Sequence, residues 1–184
     1  MLAQIPNLLT LLRIAAVPLL VLLLHDRAYD WALLVFLAAG VSDGLDGFLA
    51  KHYHWESRFG AMLDPIADKL LIFAAYVMLA LLGDIPFWLL VAVVFRDLVI
   101  TSGYMVLVHL GDEVPMRPTW LSKLNTFLQI ALVGLVLLEK AGWLAIPYLV
   151  DGVMAAVLTT TIASGVHYVW LWGIRRQGTG QRSA

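Results

Sequence analysis

The chain has 184 residues, of which 61% are hydrophobic and only 14% charged, with a formal net charge of -1. Its mean hydropathy of +0.86 departs from a soluble domain and points to a chain that mostly faces lipid or other helices. The near-neutral charge, with no long basic stripe, argues against nucleic acid as a partner. The lack of cysteine excludes both a disulfide framework and a thiol nucleophile.

A hydrocarbon layer about 30 Å thick takes roughly 20 helical residues, and that length fits the chain six times. The expected helices are 7–24, 30–51, 60–82, 86–110, 120–139 and 143–172. The first is read as a retained helix and not a signal peptide, because Arg13 interrupts it and no small-residue cleavage site follows. The joints are short and polar or turn-like, leaving no room for a separate soluble domain. The expected organisation is therefore an all-α, polytopic membrane domain over 1–174 and a basic cytoplasmic tail over 175–184 with a frayed end.

Orientation follows from lysine and arginine near the helix ends. Six crossings put both termini and the joints at 52–59 and 111–119 on one side. That side collects Lys51, Arg58, Lys69, Arg117, Lys123, Arg175, Arg176 and Arg182, against Arg27 and Lys140 on the other. The crowded side is expected to be cytoplasmic, and Trp31, Trp88 and Trp143 then fall near the opposite headgroup level.

The second and third segments carry the chemistry. Asp43 and Asp46 are three apart, and Asp64 and Asp68 four apart, so each pair shares one face of its helix. The hairpin between the two segments sets both pairs inside the cytoplasmic half of the bilayer. Four bare carboxylates there would repel and pay heavily in desolvation, so they require cations, water or shared protons. Oxygen ligands without histidine or thiolate at matching spacing favour magnesium or manganese over zinc, and the paired arrangement suits two such ions. Gly44, Gly47 and Gly60 remove side chains beside the carboxylates and leave backbone open to a bulky phosphate. Close helix packing is the competing reason for glycine at these positions. A cation transporter is the alternative from another class, but it gives no reason for this glycine spacing.

The run Asp43, Asp46-Gly47, Ala50-Lys51, Gly60, Asp64, Asp68 resembles the signature of the CDP-alcohol phosphatidyltransferase family throughout its 26 residues. One departure is Lys51, where the family usually has arginine; charge is kept but bidentate geometry is lost. Ile5-Pro-Asn-Leu-Leu-Thr-Leu-Leu-Arg13 is similar to the family's opening helix. The resemblance implies six transmembrane helices, a homodimer, two divalent cations (Mg2+ or Mn2+) and an active site on the cytoplasmic face of a bacterial inner membrane. It implies metal ligation by Asp43, Asp46, Asp64 and Asp68, with Asp68 as general base. Asp43, Gly47, Lys51, Gly60 and Asp64 would bind the nucleotide diphosphate.

Within the family, Phe95-Arg-Asp-Leu98 and Arg117-Pro-Thr-Trp-Leu-Ser-Lys-Leu-Asn-Thr-Phe-Leu-Gln129 resemble the CMP-forming cardiolipin synthases. The wording Asp64-Pro-Ile-Ala-Asp-Lys69 is shared with the phosphatidylglycerophosphate synthases. The resemblance thus implies CDP-diacylglycerol as donor and phosphatidylglycerol as acceptor, with glycerol 3-phosphate the alternative. Expected acceptor contacts are Asn7, Thr10, Arg13, Arg96, Arg117 and Lys123. Arg96, near mid-membrane, needs phosphate, water or a carboxylate such as Asp97 or Asp151. Asn125 and Gln129, one turn apart, either line the same cavity or join helices.

Overall fold

The computed structural model describes residues 5–53, 58–109, 119–145 and 147–180; within these, the side chains of 5–10, 43–53, 58–68, 104, 106–109, 147, 169 and 171–180 lie outside the description. It contains α1 (Ile5–His25), α2 (Tyr29–Tyr53), α3 (Arg58–Leu82), α4 (Phe87–His109), α5 (Trp120–Lys140) and α6 (Pro147–Gly180). The all-α expectation holds, and the first five helices match their expected spans to within two residues at every end.

The sixth helix differs. It starts at Pro147 and not at 143, because Gly142 turns the chain at φ 74° and proline suits a first helical position, where its missing donor costs little. It continues through Arg175 and Arg176 to Gly180, where fraying was expected. Arg175, Arg176 and Gln177 are good helix formers and carry the ladder into a last turn that holds Gly178 and Gly180, at which the helix ends.

Three helices end in one way. Ala28 N–H bonds to Leu23 C=O at 2.8 Å while Arg27 N–H bonds to Leu24 C=O at 2.9 Å. Asp84 and Gly83 repeat the pair onto Leu79 and Ala80, and Trp143 and Gly142 onto Leu138 and Glu139. Each is a Schellman closure, which needs a left-handed residue just past the helix; Arg27, Gly83 and Gly142 have φ of 57°, 78° and 74°. These closures turn α1 into α2, α3 into α4 and α5 into α6, all at one end of the bundle.

Side chains then tie the joints together. The Asp84 carboxylate, 5% exposed, accepts from Tyr29 Oη at 2.7 Å and pairs with Lys140 Nζ at 2.9 Å. The Trp143 indole N–H donates to Asp30 Oδ1 at 2.7 Å. All three joints are thereby linked through two carboxylates. Trp31, Trp88 and Trp143 are each more than half exposed at this end, as headgroup-level rings would be.

In packing, α1 lies against α2 and α3, α5 against α2, α3 and α6, and α4 against α3 and α6. Leu20, Leu24, Leu79, Leu89, Leu132 and Leu137 are fully or almost fully buried where these helices meet. Many large apolar side chains instead point outward, among them Leu22, Leu81, Phe95 and Trp170. A membrane protein has this distribution, since lipid tails solvate apolar side chains as well as a core does. Among the described residues, Trp120–Lys140 and Tyr148–Tyr168 are long and apolar enough to cross a membrane.

Candidate active site

The aspartates sit in the halves of α2 and α3 nearest their shared connection. Asp43 lies ten residues before the end of α2, and Asp68 ten residues after the start of α3. Each is therefore roughly 15 Å from that end of the bundle, and Asp46 and Asp64 are roughly 10 Å from it. Both helices pack against α1 and α5, so the matching depth belongs to one helical assembly. Lys51 and Gly47 continue α2 toward the connection, and Gly60 lies in the first turn of α3. The side chains of all these residues lie outside the description. No group of three or more metal-ligating side chains occurs among the described residues. The donor set itself fits a hard divalent cation: four carboxylates in two pairs at matched depth, with oxygen donors only.

The described polar residues form a ladder between α5 and α6. Thr119 caps α5 by accepting from Ser122 N–H at 3.3 Å, and its own N–H donates to Tyr168 Oη at 3.3 Å. One turn deeper, Arg96 of α4 enters between the two helices. Its Nη2 donates to Ser122 Oγ at 2.6 Å and its Nε to Ser164 Oγ at 2.9 Å. Deeper still, Asn125 Oδ1 accepts from Thr160 Oγ1 at 2.8 Å and Thr161 Oγ1 at 2.9 Å. These residues recur every three or four positions along both helices, which keeps them on facing stripes.

Arg96 is the node of this arrangement. It is 8% exposed, and its Nη1 donates to Asp97 Oδ1 at 2.7 Å. Asp97 Oδ2 is in turn 3.9 Å from Lys69 Nζ, reaching α3 beside Asp68. A guanidinium carries its donors in a fixed fork, so one side chain joins α4, α5 and α6 while its charge is met within the protein. Of the two carboxylates expected as partners, Asp97 takes the role; Asp151 is exposed near the start of α6.

Among the described residues, two buried donors on α5 remain without a partner. Asn125 is fully buried and Gln129 4% exposed, yet Asn125 Nδ2 and Gln129 Nε2 bond to nothing among the described residues. They are five and nine residues into α5, or roughly 8 and 14 Å from its start, the depth range of the aspartates. Leaving such a donor unsatisfied costs about 1–3 kcal/mol, which a bound oxygen acceptor would recover.

Of the expected acceptor contacts, Arg13 is 2% exposed on α1, eight residues from its start, and Lys123 is exposed in the first turn of α5. Asn7 and Thr10 are positions of α1 whose side chains lie outside the description, as Arg117 does entirely. The sequence reading did not single out Ser122, Thr160, Thr161, Ser164 or Tyr168 as partners of Arg96 and Asn125. Their signal was present: hydroxyls at three- and four-residue spacing inside otherwise apolar helices.

Several known proteins are similar to this chain over most of its length. A probable phosphatidylglycerophosphate synthase of Mycobacterium tuberculosis is 39% identical over 173 residues, covering 91% of this chain and 80% of that protein. A CMP-forming cardiolipin synthase of Streptomyces coelicolor is 36% identical over 174 residues, covering 90% and 80%. A CDP-diacylglycerol--glycerol-3-phosphate 3-phosphatidyltransferase of Bacillus subtilis is 27% identical over 187 residues, covering 92% and 95%. The family model described as CDP-alcohol phosphatidyltransferase matches residues 3–168. The chain accordingly belongs to the CDP-alcohol phosphatidyltransferase family, as a membrane transferase of phospholipid biosynthesis.

Proposed function

We propose that this enzyme transfers the phosphatidyl group of CDP-diacylglycerol to the primary hydroxyl of phosphatidylglycerol, giving cardiolipin and CMP. The observation that carries the choice of acceptor is Arg96-Asp97, the dipeptide similar to the cardiolipin-forming branch, held as a buried node by Ser122 and Ser164.

Asp43, Asp46, Asp64 and Asp68 would hold two divalent cations, Mg2+ or Mn2+. When bound, these ions neutralise charge on the donor diphosphate and on the leaving phosphate. Gly47 and Gly60 leave room for the diphosphate, Lys51 offers it a positive charge, and Asp43 and Asp64 border it. Asp68 takes the proton from the acceptor hydroxyl. The resulting oxygen attacks the phosphorus bearing diacylglycerol, the bond from that phosphorus to the CMP oxygen breaks, and CMP leaves with the electron pair. Arg13 and the amides of Asn125 and Gln129, buried at the depth of the aspartates, would meet oxygens of the acceptor headgroup. Asn7, Thr10, Arg117 and Lys123 would serve the same group nearer the entrance. The six helices span the bacterial inner membrane with both termini and the site on the cytoplasmic side, and the enzyme works as a homodimer.

The second reading is phosphatidylglycerophosphate synthesis with glycerol 3-phosphate as acceptor, favoured by the names of the Mycobacterium and Bacillus relatives. It uses the same donor chemistry and differs only in the acceptor. Purified enzyme given CDP-diacylglycerol, magnesium and both acceptors in one tube, with products read by mass spectrometry, decides between them. Cardiolipin with CMP supports the first reading, and phosphatidylglycerophosphate the second. Metal flux without CMP would replace both with a transporter.

A further inference from the structure

A slot of about 620 Å³ runs between the outer faces of α4 and α6. Phe95 and Val99 line it from α4, and Ile162, Val166 and Trp170 from α6. Phe95, Ile162, Val166 and Trp170 are each more than half exposed, so the slot opens sideways, in the direction of the lipid around the bundle. Its lining extends over roughly 11 Å of α4 and 14 Å of α6, along the helix axes. Arg96 forms the inner wall through its aliphatic stem. A Cβ on Gly165 would sit 3.8 Å from Arg96 Cγ, so α6 passes close to that stem while the guanidinium turns inward to Ser122, Ser164 and Asp97. The wall facing the slot is thus apolar, and the charge stands directly behind it.

We propose that this slot seats one acyl chain of the acceptor phosphatidylglycerol. Its apolar, elongated and laterally open form suits a chain entering from the bilayer. Behind it, Arg96, Asp97 and Lys69 form a continuous line of contacts ending beside Asp68. Asp97 meets the Arg96 charge at 2.7 Å, so the positive charge left over on this line is that of Lys69, 66% exposed and 3.9 Å from Asp97, and it is complementary to one phosphodiester anion. A chain held here is therefore tethered next to the groups that receive its headgroup. The assignment to the acceptor rests on the reading under Proposed function.

The test uses the full-length enzyme with dioleoyl- and dihexanoyl-phosphatidylglycerol, following lipid retention by native mass spectrometry and transfer by CMP release. Val166→Trp and Ile162→Trp fill the slot from exposed positions, and Leu22→Trp on the outer face of α1 is the control. Both slot variants are expected to weaken retention of the dioleoyl lipid about tenfold, the equivalent of two buried methylenes, and to raise its KM to match. Retention of the dihexanoyl lipid, kcat, and every property of Leu22→Trp stay as in the parent. Unchanged dioleoyl retention in both variants overturns the proposal. Loss of a cross-linkable dimer with lipid retention intact overturns it too, by assigning the slot to a second copy. If the parent makes no cardiolipin but the slot variants still lose the dioleoyl lipid, the seat is upheld and the acceptor reading falls.

Discussion

Lys140, at the end of α5, and Asp84, in the joint between α3 and α4, pair at 2.9 Å around a carboxylate that is 5% exposed and also holds Tyr29. A buried carboxylate that loses its counter-charge is stranded. Lys140→Met is therefore expected to cost about 1–3 kcal/mol in thermal unfolding. The double variant Lys140→Met/Asp84→Leu should recover part of that loss, because removing both charges strands neither. A double variant as unstable as the sum of the singles would show that the pair is not a coupled unit. CMP release at permissive temperature should be unaffected, since this end of the bundle lies away from the aspartates.

The three joints allow a second test of backbone origin. Arg27 occupies a left-handed conformation that costs a residue with a Cβ about 1–2 kcal/mol. Arg27→Gly is expected to raise stability by roughly 0.4–1 kcal/mol, and Gly83→Ala and Gly142→Ala to lower it by about 1–2 kcal/mol. A Cβ at either glycine meets nothing within 4 Å, so steric overlap cannot account for the loss. Equal melting temperatures for all three variants and the parent would contradict the Schellman assignment.

Arg96 directs donors at Ser122, Ser164 and Asp97 at once. Lysine keeps the charge but has no planar fork, so Arg96→Lys should fall short on both counts, unfolding earlier and releasing CMP more slowly. Ser164→Ala, which removes one of the three acceptors, is expected to cost about 0.5–1.5 kcal/mol. An Arg96→Lys enzyme indistinguishable from the parent would mean that charge alone matters at this node.

For the carboxylates, Asp68→Asn is expected to lower CMP release by about 10²–10⁴-fold, the usual contribution of a general base. Retained nucleotide binding would separate that loss from misfolding. Chelation should abolish turnover in the parent, and magnesium or manganese should restore it. Activity surviving exhaustive chelation would remove the metal from the mechanism.

Gln129 offers a test that separates packing from substrate contact. Gln129→Met preserves volume and removes the orphaned amide donor, so stability should hold or rise. If that donor meets the acceptor headgroup, KM for phosphatidylglycerol rises while KM for CDP-diacylglycerol does not. A drop in stability with both KM values unchanged would return Gln129 to a purely structural role.

Local information was enough for much of this protein. The lengths of the apolar runs, punctuated by Gly83, Gly142 and Pro147, mark helices that the structure reproduces closely, because hydropathy and backbone preferences act over a few residues. The spacing of Asp43, Asp46, Asp64 and Asp68 likewise fixes which carboxylates share a helix face, whatever the helix packs against. The partners of Arg96 were another matter. Asp97 is its chain neighbour and was legible, but Ser122 and Ser164 stand 26 and 68 residues away. The union of Tyr29, Asp84 and Lys140 spans more than a hundred residues. Such contacts depend on the rotation and depth of each helix against its neighbours. In a chain where almost every face is apolar, hydropathy does not set that rotation; side-chain packing and the pairing of buried polar groups do.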